Sequence, residues 1–93
     1  MFYIHYSDDA YEKVKNNPTL FSNVMYLCEK TKDYFSSREF VVQWKKYDNY
    51  ICVYVLVNMS VKDACNILNK FDEDVILKNE HLTDHIVFDC YFK

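Results

Sequence analysis

Ninety-three residues with a net charge of −3 make one domain (residues 1–93), long enough to close a core without metal or disulfide support. The chain has no glycine, which excludes the GxGxxG dinucleotide turn, the P-loop and the GxSxG nucleophile elbow. Each of those needs a backbone position that only glycine occupies without strain.

Phe2–Tyr6 is rich in strand formers and reads as a first strand. Ser7, Asp8 and Asp9 supply an N-cap and first-turn acids for a short helix carrying Ala10, Tyr11 and Val14. Asn17 and Pro18 then split this helical region, as N-cap and first residue of a longer helix. Leu20, Phe21, Val24, Leu27, Cys28, Thr31 and Phe35 form its apolar stripe. Residues 39–57 predict a β-hairpin turning on Asp48-Asn49. That turn sets Phe40 against Val57, Val42 against Val55 and Trp44 against Val53. Ser60 and Asp63 resemble a capping box, opening a helix with Val61, Ala64, Cys65, Leu68 and Phe71 on one stripe. Asp72-Glu73-Asp74 ends it as solvated acid, Val75-Ile76-Leu77 is a short strand or a buried turn, and residues 85–92 alternate as a last strand.

The order β-α-β-β-α-β predicts an α+β, ferredoxin-like two-layer sandwich: a four-stranded antiparallel sheet, helices on one face, and the second and fourth strands at the edges. Parity then assigns the uncovered face to Tyr3, His5, Val41, Gln43, Lys45, Tyr50, Cys52, Tyr54, Leu56, Val87, Asp89 and Tyr91. An open antiparallel face normally carries charged and polar residues. This one is aromatic and half apolar, the character of a partner surface.

The whole charge excess lies late in the chain. Residues 1–59 hold seven acids and seven bases; residues 60–93 hold seven acids against four lysines. Arg38 is the only arginine, so the chain is poor in the arginine forks and basic patches that serve nucleic-acid binding. The layout resembles RRM-type RNA-binding domains in architecture, and that likeness places Tyr3, Tyr50 and Tyr54 where bases stack. The third-strand segment Asn49–Val55 nevertheless lacks the glycine and basic residue of the RNP1 pattern.

Cys28, Cys52, Cys65 and Cys90 show no CxxC spacing and read as free thiols, three of them buried. His81, Asp84 and His85 have ligand-like spacing, but a polar turn accounts for them better than a metal site. His5 and Cys52 could meet across neighbouring strands, although no oxyanion hole accompanies them. No apolar run approaches the roughly 20 residues of a membrane span, and no leader pattern opens the chain, so a cytoplasmic protein is expected.

These readings predict a protein without enzyme activity, cofactor or metal. In size and acidity it is similar to small viral and mobile-element proteins that inhibit host defence nucleases, anti-CRISPR proteins among them. That likeness implies a protein-binding module occluding a basic, nucleic-acid-processing host protein. Tyr3, His5, Tyr50, Tyr54 and Tyr91 would dock, and the acids Asp72, Glu73, Asp74, Glu80, Asp84 and Asp89 would be drawn to the basic channel. The alternatives are a homodimer pairing its open faces or edges, and a single-strand nucleic-acid binder.

Overall fold

The computed structural model describes residues 2–80 and 85–92. Strand β1 (Tyr3–Tyr6) leads to helices α1 (Asp8–Lys15) and α2 (Pro18–Phe35). The hairpin β2 (Glu39–Lys45) and β3 (Tyr50–Val57) follows, then α3 (Val61–Phe71), a π-helical turn (Asp72–Ile76) and β4 (Ile86–Phe92). Side chains start the helices as the caps predict. Ser7 Oγ accepts from the Ala10 N–H at 3.3 Å, Asn17 Oδ1 from Leu20 at 3.1 Å, and Ser60 Oγ from Asp63 at 3.1 Å.

The four strands make one mixed sheet in the order β1-β2-β3-β4. The hairpin is antiparallel, but β1 runs parallel to β2 and β4 parallel to β3. The ferredoxin-like order and the all-antiparallel sheet are therefore not what this chain builds, and the edges are the first and fourth strands. The cause lies in burial. The hairpin carries the fully buried Phe40, Val42, Ile51, Val53 and Val55, so it takes the centre. The four-residue β1 and the half-exposed β4 fall to the outside.

Both helical connections pack on the same face. Tyr34 of α2 meets Phe71 of α3 with ring centroids 5.3 Å apart, and Phe71 lies 4.8 Å from Phe88 of β4. The two crossovers step the same way across the sheet while their strands run in opposite senses. Sharing one face therefore gives them opposite hands, so one is the left-handed form that parallel crossovers rarely take.

The hairpin register differs from the expected one by two residues: Phe40 pairs with Val55, Val42 with Val53 and Trp44 with Ile51. A four-residue loop, 46–49, replaces the two-residue turn, and only Asn49 takes positive φ, at 56°. A type I′ turn needs two such residues, so without glycine the longer loop is the less strained solution. Because the shift is two and not one, every side chain keeps its expected face. Asp72-Glu73-Asp74 forms part of the π-helical turn instead of a solvated helix end. Val75 and Ile76 close that same turn and Leu77 follows it, so no strand forms there.

The core joins Val24, Leu27, Cys28 and Phe35 of α2 and Ala64 and Phe71 of α3 to the inner sheet residues. Phe21, expected on the buried stripe, is 47% exposed. Two cysteines are buried rather than three: Cys28 and Cys52, with Cys90 half-buried and Cys65 exposed. Among the described residues one buried side-chain polar group has no partner, the Tyr6 hydroxyl. Tyr6→Phe should therefore raise stability by about 1 kcal/mol, since it removes a desolvated donor and keeps the ring. A urea titration checks this, and a lower midpoint for the variant would show that the hydroxyl is satisfied.

Candidate functional site

The sheet face away from the helices is bare. Cross-strand register arranges it in three rows. The first runs Tyr3, Glu39, Leu56, Tyr91; the second His5, Val41, Tyr54, Asp89; the third Gln43, Cys52, Val87. Lys45 and Tyr50 face each other beyond them. Tyr3 is 61% exposed, Tyr91 54% and Val87 43%. Val41, Tyr50, Tyr54 and Leu56 are half-buried among their neighbours. The middle of the face is thus apolar, and its polar groups stand towards the margins.

Local contacts stiffen this surface. Tyr54 and Tyr91 meet edge to face, centroids 6.1 Å apart. The Cys52 thiol hydrogen-bonded beside it, burial, and the Asp89 carboxylate together push the Tyr54 hydroxyl up to about 12. At neutral pH Tyr54 is therefore a neutral phenol, suited to contact and hydrogen bonding. His5 Nε2 lies 3.2 Å from Glu39 Oε2. At the far edge, Asp89 Oδ1 accepts from the Cys90 N–H at 2.8 Å. In the β3–β4 register that N–H points outward, so Asp89 occupies an edge amide that another strand could otherwise use.

Two expected pairings on this face do not form. His5 sits on the outer strand β1 beside Val41, and Cys52 lies two strands away on β3, opposite Gln43. The intervening β2 removes any Cys–His nucleophile pair. RRM-type stacking needs the first and third strands side by side, and β2 separates Tyr3 from Tyr50 and Tyr54 in the same way.

The acids do not form one solvated patch. Asp74 Oδ2 accepts from the Tyr34 hydroxyl at 3.0 Å and lies 3.6 Å from Lys70 Nζ, so it ties α2 to the end of α3. Burial, and then the neighbouring Asp89 carboxylate, hold the Asp72 carboxyl above its ordinary range. Glu73 and Glu80 are exposed, while Asp84, like His81, lies outside the described residues. His85 takes φ 66°, with Nδ1 3.2 Å from the Asn49 carbonyl, in a polar turn.

Burial pushes the Cys28 thiol up to about 12 and, with the charge of Asp89, the Cys90 thiol to about 11, so neither is a thiolate at neutral pH. Among the described residues no group of three His, Cys, Asp or Glu side chains could hold a metal ion. A cavity of about 320 Å³ with a mixed polar and apolar lining lies at the sheet end beside Trp44, whose ring is covered by Lys13 Nζ at 4.5 Å. An apolar one of about 370 Å³ lies among Tyr6, Tyr11, Val14, Pro18 and Phe21. No thiol or serine lines either cavity. No helix among the described residues is long and apolar enough to cross a membrane. Comparison with protein-family models, with curated proteins and with solved structures finds no match to this chain.

Proposed function

We propose that this chain is a non-enzymatic protein-binding module whose working surface is the open sheet face. The observation that carries this reading is the bare face itself, with Tyr3, Val87 and Tyr91 exposed around a half-buried centre of Val41, Tyr54 and Leu56. A solvated sheet face has little reason to present such side chains, whereas an interface centre is built from them. The Asp89 carboxylate on the β4 margin and the exposed Glu73 favour a basic partner. In this reading the module acts by occlusion, as an inhibitor of the viral or mobile-element type that covers the nucleic-acid site of a host protein.

The test is capture by the immobilised chain from host lysate, run beside a Tyr3→Ala, Tyr91→Ala double variant and a Glu73→Lys variant. The reading expects a nucleic-acid-processing protein to be retained by the wild type and lost from the double variant. Glu73→Lys should weaken retention most at low salt, where surface charge acts furthest. Equal retention by all three proteins would reject the face as the working surface.

A further inference from the structure

We infer that the free edge of β1 takes an extended segment of a partner protein as a fifth strand, with one of its side chains seated in the apolar cavity beside Tyr6. This surface is separate from the open sheet face, and the inference does not depend on that reading.

Backbone direction names the kind of occupant. The Tyr3 N–H reaches the Arg38 carbonyl at 2.8 Å and the Ser7 N–H the Val42 carbonyl at 2.9 Å, so alternate residues of β1 turn towards β2. Ile4 and Tyr6 therefore turn their N–H and C=O groups away from the sheet. Among the described residues no strand lies beyond them, and no turn, loop or cap bonds to their backbone. The two edges differ in this respect. At β4 the Asp89 carboxylate takes the outward N–H of Cys90, whereas β1 carries no lysine, proline or bulge to close its row. A row of unpaired amides and carbonyls fits one ligand above others, another polypeptide in extended conformation.

The cavity is a second, independent observation. Its volume is about 370 Å³, and its lining is Tyr6 from β1, Tyr11, Val14 and Lys15 from α1, and Pro18 and Phe21 from α2. It borrows nothing from β2, β3 or β4, so it opens on the outer side of the helical layer, beside the free edge. Tyr6 packs on the core side of the sheet. An added strand would carry every second side chain on that same side, next to Tyr6 and towards the cavity. Tyr11 is 51% and Phe21 47% exposed, so two aromatic rings stand in water where a partner side chain would cover them.

Charge narrows the segment further. Lys15 is the one charged residue of the lining, its Nζ 5.8 Å from the centre of the Tyr11 ring, and no acid lines the cavity. The complement is an aromatic or large aliphatic residue with an acid two positions away, since those two side chains share a face of the pleat. Four residues make a short ladder, so the contact is reversible and the cavity supplies its selectivity.

Titration of the 15N-labelled full chain with the capped heptapeptides TVFTDVT and TVDTFVT tests the assignment. The two orders allow for either strand direction. Saturable shifts are expected at the Ile4 and Tyr6 amides and around Tyr11 and Phe21, with slower amide exchange at Ile4 and Tyr6. Serine in place of the peptide phenylalanine, or Phe21→Ala in the chain, should weaken binding about tenfold. Phe21 is half exposed, so that change leaves the core intact. Lys15→Glu should weaken it about threefold, and a peptide with lysine for aspartate should bind that variant better than the wild type. N-methylation of alternate peptide amides, made in both phases, should abolish binding in one of them. Full binding by both methylated forms, or no shifts at millimolar peptide, overturns the assignment. So does a dimer in sedimentation velocity that Phe21→Ala dissolves, because the edge then belongs to a second copy of the chain.

Discussion

Replacing Phe71 with alanine should destabilise the protein by about 3–5 kcal/mol, the range for emptying a fully buried aromatic site. The position is unusual in what it joins. Phe71 is the last residue of α3, 0% exposed, edge-on to Tyr34 of α2 and close against Phe88 of β4. One ring thus connects the two helices α2 and α3 and the parallel edge strand. Removing it also loosens the π-helical turn that begins at the next residue and carries Asp74 to Tyr34 and Lys70. A domain of this size has about 5–15 kcal/mol in total, so the variant should unfold at a much lower urea concentration or fail to fold at room temperature. Phe71→Leu, which keeps most of the volume, should lose under half as much. A drop below 1.5 kcal/mol for the alanine variant would show that α3 does not pack on the sheet as described.

The legible part of the fold came from short-range chemistry. Ser7, Asn17 and Ser60 mark their helix starts because a side-chain oxygen can satisfy an N–H three residues on. Strand alternation assigned Tyr3, Tyr54 and Tyr91 to the bare face, and they lie there. The strand order was not legible. The same alternation serves a first strand inserted between β3 and β4 or one added outside β2, since both bury Ile4 on the same side. The choice depends on how much apolar surface each position buries, a sum over the whole molecule. The Asp48-Asn49 turn misled by two residues because local preference for positive φ does not say how many residues must adopt it. Asp74 looked solvated because its partner Tyr34 is 40 residues away in sequence.

Without glycine, three of the described residues hold left-handed backbone: Ser36 at φ 56°, Asn49 at φ 56° and His85 at φ 66°. Asparagine tolerates this region and histidine enters it more readily than most residues, but serine bears a Cβ clash there of about 1 kcal/mol or more. Ser36 is the residue that ends α2, where its N–H reaches the Lys32 carbonyl at 3.2 Å, a place where helices commonly use glycine. A Ser36→Gly, His85→Gly double variant should therefore be more stable by about 1–2 kcal/mol. The relief of backbone strain exceeds the extra freedom glycine gives the unfolded chain. His85 also loses its exposed contact with the Asn49 carbonyl, so its share should be the smaller. For a chain of this length the melting temperature should rise by about 5–10 °C. Ser36→Val, which adds branching at the same φ, should move it down. If the glycine variant melts lower than the parent, Ser36 and His85 do not hold the left-handed conformation, and the termini of α2 and β4 are built otherwise.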